Sequence, residues 1–168
     1  MGVMSDSHDN VVNARRAAEI FVSEGVQHVF HLGDIVAPFT LKAIAESLQD
    51  IPLTAIYGNN CGEKLGLKSV ASGLGVEIAD PPLEKNVGGR RILLLHGFGS
   101  ARMTREIVYA IARGGQWDLV LYGHTHERDE KILDGTLVVN PGETAGVLKE
   151  ASIAIIDLDS LRVRFISL

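Results

Sequence analysis

The stretch Leu119-Val120-Leu121-Tyr122-Gly123-His124-Thr125-His126 is an apolar run that ends on a glycine and two histidines. Its first four residues read as a buried strand. The same arrangement recurs along the chain. Val3-Met4 precedes Asp6 and His8, Val26 to Leu32 precedes Asp34, Leu53 to Ile56 precedes Asn59, and Leu93-Leu94-Leu95 precedes His96. Carboxyl ends of strands in open α/β sheets gather at one edge, where ligands bind. Separate segments thus deliver Asp6, His8, Asp34, Asn59, His96, His124 and His126 to one place.

Helical patterns lie between these strands. Val11, Ala14, Ala18 and Phe21 recur at helical spacing, with Asp9 or Asn10 as N-cap and Gly25 as the stop. Pro38 opens a second helix carrying Leu41, Ile44, Ala45 and Leu48 on one face. Cys61 to Gly75 reads as a loop with a short helix, followed by a strand near Val76 to Ile78, and Pro81-Pro82 is a break. Met103, Ile107, Ala110 and Ile111 form another amphipathic helix, closed by Gly114-Gly115. Gly88-Gly89, between Leu83 to Val87 and Arg91 to Leu95, is a hairpin signal, as is Asp134-Gly135 between Lys131 to Leu133 and Leu137 to Asn140. Two final strands, Ser152 to Ile156 and Leu161 to Ile166, flank Asp157 to Ser160. The early part is β-α-β and the late part mostly β, which predicts two sheets packed face to face with helices outside. Without repeats or linkers, residues 1–168 read as a single domain.

Bulk properties set limits. A chain of 168 residues is about one domain long. A net charge of −5 argues against a binder of long nucleic acids, which needs a basic groove. A nucleotide-sized substrate stays open, because bound cations reverse the local field. The one cysteine, Cys61, allows no intrachain disulfide, so a cytoplasmic location is expected. The first residues show no basic segment followed by an apolar run, so no secretory signal is expected. No apolar stretch is long enough to span a bilayer.

The spacings point to metal. Asp6-Ser7-His8 and His124-Thr125-His126 each place two ligand types two residues apart, and on extended chain such residues face one side. Gly33, Gly58, Gly97 and Gly123 all neighbour these positions, where the backbone must turn or be approached closely. The donors are nitrogen and oxygen without thiolate, which suits Mn²⁺, Fe²⁺, Zn²⁺, Co²⁺ or Ni²⁺. Seven ligands exceed one tetrahedral ion and suffice for two if a carboxylate bridges. Two such ions support in-line phosphoryl displacement. His31, inside the second strand, reads as a core or supporting residue.

Asp6-x-His8, Gly33-Asp34, Gly58-Asn59, His96-Gly97 and Gly123-His124-Thr125-His126 resemble, in order, the motifs of the calcineurin-like metallophosphoesterase superfamily, and within it the small single-domain phosphodiesterases of bacteria and archaea. Asn140-Pro141-Gly142 resembles a further family segment near the site rim. The resemblance implies a four-layer α/β-β/α sandwich of two mixed β-sheets flanked by helices. It implies two divalent ions, Mn²⁺ foremost. Asp6, His8, Asp34 and His126 would hold one, and Asp34, Asn59, His96 and His124 the other. Asp34 would bridge, with Asn59 and His96 beside it in catalysis, and a hydroxide between the metals would be the nucleophile. It further implies a homodimer or homotetramer.

The chain departs from the family beside Asn59. Asn60 stands where relatives carry His, Cys61 where they carry an acid, and Tyr57 where many carry Arg. Asn60 and Cys61 are expected at the substrate. Asn60 supplies no titrating proton, which predicts a preference for phosphodiesters with good leaving groups. Two alternatives accompany this expectation. One is a phosphomonoesterase or nucleotide pyrophosphohydrolase on the same centre. The other is a non-catalytic scaffold like the retromer subunit of this family, which the retained ligand positions disfavour.

Overall fold

The structure is a computed structural model that describes residues 1–168. Its order is β1 (Gly2–Met4), α1 (Val11–Ser23), β2 (Val29–His31), α2 (Pro38–Leu48), β3 (Leu53–Ile56), α3 (Lys64–Leu74), β4 (Glu77–Ala79), β5 (Leu83–Val87), β6 (Arg90–Leu95), α4 (Ala101–Arg113), β7 (Leu119–Tyr122), β8 (Arg128–Leu133), β9 (Thr136–Pro141), β10 (Ser152–Asp157) and β11 (Arg162–Ser167).

Two mixed sheets result. One runs β11-β10-β1-β2-β3-β4 and the other β5-β6-β7-β9-β8. β1 to β4 are mutually parallel, as are β6, β7 and β9, while the remaining strands pair antiparallel. Period-2 alternation builds the layers. Val3, Phe30, Leu32 and Ile56 meet Ile92, Leu94, Leu119, Leu121 and Val139 between the sheets. Met4, Val29 and Ala55 turn the other way, against Phe21 of α1, Ile44 of α2 and Leu67 of α3. Leu93, Leu95, Val120 and Tyr122 turn outward against Val108 and Ala112 of α4. The four-layer α/β-β/α sandwich expected from the sequence is therefore present.

Local signals fall where the residues place them. The Asn10 side chain caps α1 by accepting from the Asn13 N–H. Asp9 instead serves α2, accepting from Ala37 N–H at 3.0 Å and Thr40 Oγ1 at 2.7 Å. Gly88 and Gly89 both have positive φ, the requirement of a type I′ hairpin turn. Two elements differ from expectation. β2 is shorter than Val26 to Leu32, because the Val26 N–H closes α1 on Phe21 O. α3 is a full helix where a loop with a short helix was expected. Gly66 and Gly73 weaken its local signal, but Leu67 and Ala71 are buried against the core and stabilise it.

The parallel strands position the site. β1, β2 and β3 end at one edge of their sheet, β6 and β7 at the matching edge of the other. The loops leaving those five ends meet across the cleft between the sheets.

Candidate metal centre

Five of the seven candidate ligands adopt a backbone that the sequence did not suggest. Asp6, His8, His124 and His126 have φ of 53°, 39°, 69° and 59°, and Asp34 has 54°. Extended chain therefore does not aim the Asp-x-His and His-x-His pairs; left-handed turns do. Non-glycine residues in this region are strained by roughly 1 kcal/mol or more, and such strain clusters at functional sites. Neighbouring glycines let other segments approach these residues closely. A Cβ on Gly97 would lie 2.4 Å from His124 Cβ, and one on Gly58 would lie 2.2 Å from Asp34 Oδ1. The turns also separate the two histidines of the last motif. His126 stacks near His8 at 5.1 Å between centroids, while His124 sits 5.2 Å from His96.

Two donor groups result. In the first, His8 Nε2 and His126 Nε2 lie 3.7 and 3.4 Å from Asp6 Oδ1, and 3.4 Å from each other. In the second, Asn59 Oδ1 lies 3.0 Å from His96 Nε2 and 2.8 Å from His124 Nδ1. Asp34 Oδ2 faces both groups, 3.7 Å from His8 Nε2 and 3.4 Å from His96 Nε2. Asp6 also approaches the second group, within ligand distance of Asp34 and His96.

The protonation pattern fits cations. His96 Nδ1 lies 2.7 Å from Leu32 O and His124 Nε2 2.6 Å from Gly99 O. A carbonyl only accepts, so those nitrogens carry the hydrogens, and His96 Nε2 and His124 Nδ1 present lone pairs. Each lone pair meets further acceptors. On Asp6, Oδ2 accepts from the Ser5 hydroxyl at 2.5 Å and the His124 N–H at 2.9 Å, whereas buried Oδ1 has no donor. Acceptors aimed at acceptors need a proton or a metal ion between them. The titration of the groups expresses the same need. His8 is held above the usual imidazole range by its contact with Asp6. Burial opposes the charge on His96, but the Asp34 contact raises it nonetheless. Burial likewise opposes ionisation of Asp6 and Asp34; contact with His8 and with His96, respectively, outweighs it and holds both below the carboxylate range.

The remaining sequence candidates divide. Asn60 lies beside Asp34, donating its N–H to Oδ1 and its side-chain amide to Oδ2. Its amide is thus engaged by a carboxylate of the centre rather than directed at a substrate. Cys61 departs from expectation as a substrate contact. It is buried in the core under α3, and its Sγ accepts the Gly58 N–H at 3.3 Å. It closes the turn that presents Asn59, because an apolar thiol gains by burial and still accepts weakly. Asn140 is buried rather than at the rim and holds Gly123 O and Thr125 Oγ1 at 2.9 and 3.0 Å. His31 is fully buried, 3.0 Å from Ser7 Oγ. Sequence reasoning missed Ser5 and Glu143, the latter paired with His126 Nδ1 at 2.7 Å. An acid next to a buried strand was its only trace in the sequence.

A cavity of about 290 Å³ opens beside the second group, lined by Tyr57, Asn59, Lys64, Asp80 and His96 among others. Lys64 spans its wall, 2.5 Å from Asp80 and 4.8 Å above the Tyr57 ring.

The chain is similar to known proteins in sequence and fold. A family model described as the calcineurin-like phosphoesterase superfamily domain matches residues 1–161. A protein named phosphodiesterase from Methanocaldococcus jannaschii is 37% identical over 170 residues, spanning 100% of this chain and 98% of its own. A solved structure described as a novel archaeal phosphodiesterase superposes with a TM-score of 0.89 at 36% identity, covering 99% of this chain and 98% of that one. Zinc-complexed Vps29 from Entamoeba histolytica superposes with a TM-score of 0.64 at 19% identity, covering 100% of this chain and 98% of its own. At that identity the likeness concerns the fold alone. No helix is long and apolar enough to cross a membrane.

Proposed function

The chain belongs to the calcineurin-like phosphoesterase superfamily, and from that membership we propose that it hydrolyses phosphodiester bonds at a centre of two divalent cations. Asp6, His8, Asp34 and His126 would hold one ion, and Asp34, Asn59, His96 and His124 the other. The observation that carries the reading is the convergence of acceptors without donors, with Asp6 Oδ1 buried and unpartnered. Divalent cations bound there lower the pKa of water toward about 7 and neutralise phosphoryl oxygens.

The chain's own residues do the positioning on which phosphoryl transfer depends. Leu32 O, Gly99 O and Glu143 each hold one imidazole by the nitrogen that faces away from the centre. The rings are thereby oriented before substrate arrives. Asn60 steadies Asp34 and has no proton to give a departing alkoxide. Substrates with good leaving groups are therefore favoured. The cavity beside Asn59 and His96 gives one ester substituent room, with Lys64 and Asp80 as polar contacts. The full-length likeness to proteins named phosphodiesterase supports the diester reading.

The nitrogen and oxygen donors admit Mn²⁺, Ni²⁺, Fe²⁺, Zn²⁺ and Co²⁺, and Mn²⁺ is taken first on the family resemblance. The substrate is a small phosphodiester or nucleotide-type molecule, the location cytoplasmic and the assembly a dimer or tetramer. Metal-stripped protein reloaded with each ion, assayed on bis-p-nitrophenyl phosphate and p-nitrophenyl phosphate, tests the proposal. Ion-dependent turnover favouring the diester is expected, with Mn²⁺ best. A strong monoester preference overturns the diesterase reading, and no turnover with any ion points to a scaffold.

A further inference from the structure

Glu143 follows β9 and is fully buried. A buried carboxylate is tolerated only where both oxygens are satisfied. Oε2 accepts from His126 Nδ1 at 2.7 Å. Oε1 accepts the Leu148 N–H at 2.6 Å and also that of Lys149. The segment around it lies across the first metal-ligand loop. Thr144 N–H donates to Ser5 O at 2.8 Å and Ala145 N–H to Asp6 O at 3.1 Å. Ala145 O accepts the side-chain amides of Asn10 and Asn13 at 2.8 and 3.0 Å. Glu143 links this segment to the His126 ring.

We propose that Glu143 is a positioning residue of the metal centre, one oxygen fixing the His126 ring and the other the Leu148–Lys149 turn, so that ion binding and the order of that turn are coupled. The inference rests on the metal centre proposed above. Holding Nδ1–H on the Glu143 side leaves Nε2 facing Asp6 and His8, the side where a cation would sit. Outer partners of this kind set ring orientation and ligand basicity. The contacts also explain why the residue is an acid. All three partners are donors, and only a carboxylate offers acceptors on both sides. A glutamine there has one acceptor and one donor group. Turned one way, its NH₂ meets the Leu148 and Lys149 N–H groups. Turned the other, it meets His126 Nδ1 and drives the ring hydrogen to Nε2, removing a ligand. Because coupling is reciprocal, an ordered turn favours the ion as much as the ion favours the turn.

Calorimetric Mn²⁺ titration of the wild-type chain, E143Q, E143A and H126A tests this, alongside amide hydrogen exchange with and without Mn²⁺. Glu143→Gln is expected to weaken one Mn²⁺ site by about 10–100-fold. In the wild type, exchange at Leu148 and Lys149 is expected to slow on Mn²⁺ addition, and E143Q to lose that response. A role in folding alone would lower the unfolding midpoint without moving Mn²⁺ affinity. Wild-type affinity in E143Q beside a weakened H126A overturns the role of Glu143 and leaves the centre standing. A wild-type chain that takes up no Mn²⁺, Zn²⁺ or Ni²⁺ overturns the centre itself and this inference with it. Should both Glu143 variants fail to fold, the wild-type exchange decides: unchanged protection at Leu148 and Lys149 overturns the coupling.

Discussion

Asn60 holds Asp34 twice, its backbone N–H on Oδ1 and its side-chain amide on Oδ2, each at 2.7 Å. Asp34 is the carboxylate that faces both donor groups, so its orientation bears on both. Asn60→Ala keeps the backbone bond and removes the other. A hydrogen bond to a charged group contributes roughly 1.5–3 kcal/mol, and partial exposure lowers that to about 1.4 kcal/mol, or tenfold. kcat/KM is expected to fall about tenfold with little change in the unfolding midpoint. Asn60→Asp, which sets a like charge against Asp34, should cost more. Wild-type kinetics in Asn60→Ala would show that the side-chain contact does not orient Asp34.

Asp6 is expected to matter more for metal affinity than for stability. Its Oδ2 is satisfied by Ser5 and His124, while buried Oδ1 has no donor. Asp6→Asn can keep the acceptor and place an NH₂ toward His126 Nε2. Mn²⁺ affinity should drop by more than about 100-fold, beyond the 10–100-fold typical of outer partners. The thermal midpoint of the metal-free protein should change little, since the lost contact with His8 is offset by an amide at the unpartnered Oδ1 position. A midpoint several degrees lower without metal would mark Asp6 as structural instead.

His31 makes acid sensitivity predictable. Burial pushes its imidazole down to about 4, against about 6.5 in the unfolded chain. Between those values the unfolded chain binds the extra proton. The stability His31 contributes is thus present above about pH 6.5 and lost as pH falls toward 4, an effect of about 3 kcal/mol. His8 and His96, which are raised, contribute with the opposite sign and at higher pH. The His31 share is read as the difference from His31→Asn in urea unfolding of metal-free protein at pH 7.5 and pH 4.5. The wild-type advantage should shrink at the lower pH; a constant difference contradicts the assignment.

Two glycine substitutions should act in opposite directions. A Cβ at Gly58 would lie 2.4 Å from the Asp34 backbone nitrogen, which cannot swing away. Gly58→Ala should destabilise by about 1–3 kcal/mol and displace Asp34, lowering Mn²⁺ affinity as well. Gly73 lies inside α3 with nothing within 4 Å of an added Cβ. Gly73→Ala should stabilise by about 0.5–1 kcal/mol and leave turnover unchanged. Denaturation midpoints and Mn²⁺ titrations of the two variants check the contrast.

How far the sequence reached depends on the range of the interactions. Strands such as Leu119–Tyr122 and helices such as Pro38–Leu48 were legible because alternation and turn residues are local signals. α3 was read too short, since its glycines are local while the burial of Leu67 and Ala71 is not. The seven candidate ligands were legible because each follows an apolar run whose end the fold brings to one edge.

The sequence by itself thus determined the four-layer sandwich and the chain positions that converge. Only the tertiary structure decided how they converge. It imposes left-handed backbone at Asp6, His8, His124 and His126, and sends His124 and His126 to different donor groups. It turns Cys61 into the core, sets Asn60 on Asp34 and brings Glu143 to His126. The reason is physical: strain, burial and hydrogen-bond pairing are settled between segments far apart in the chain, and no local pattern encodes which partner a side chain will meet.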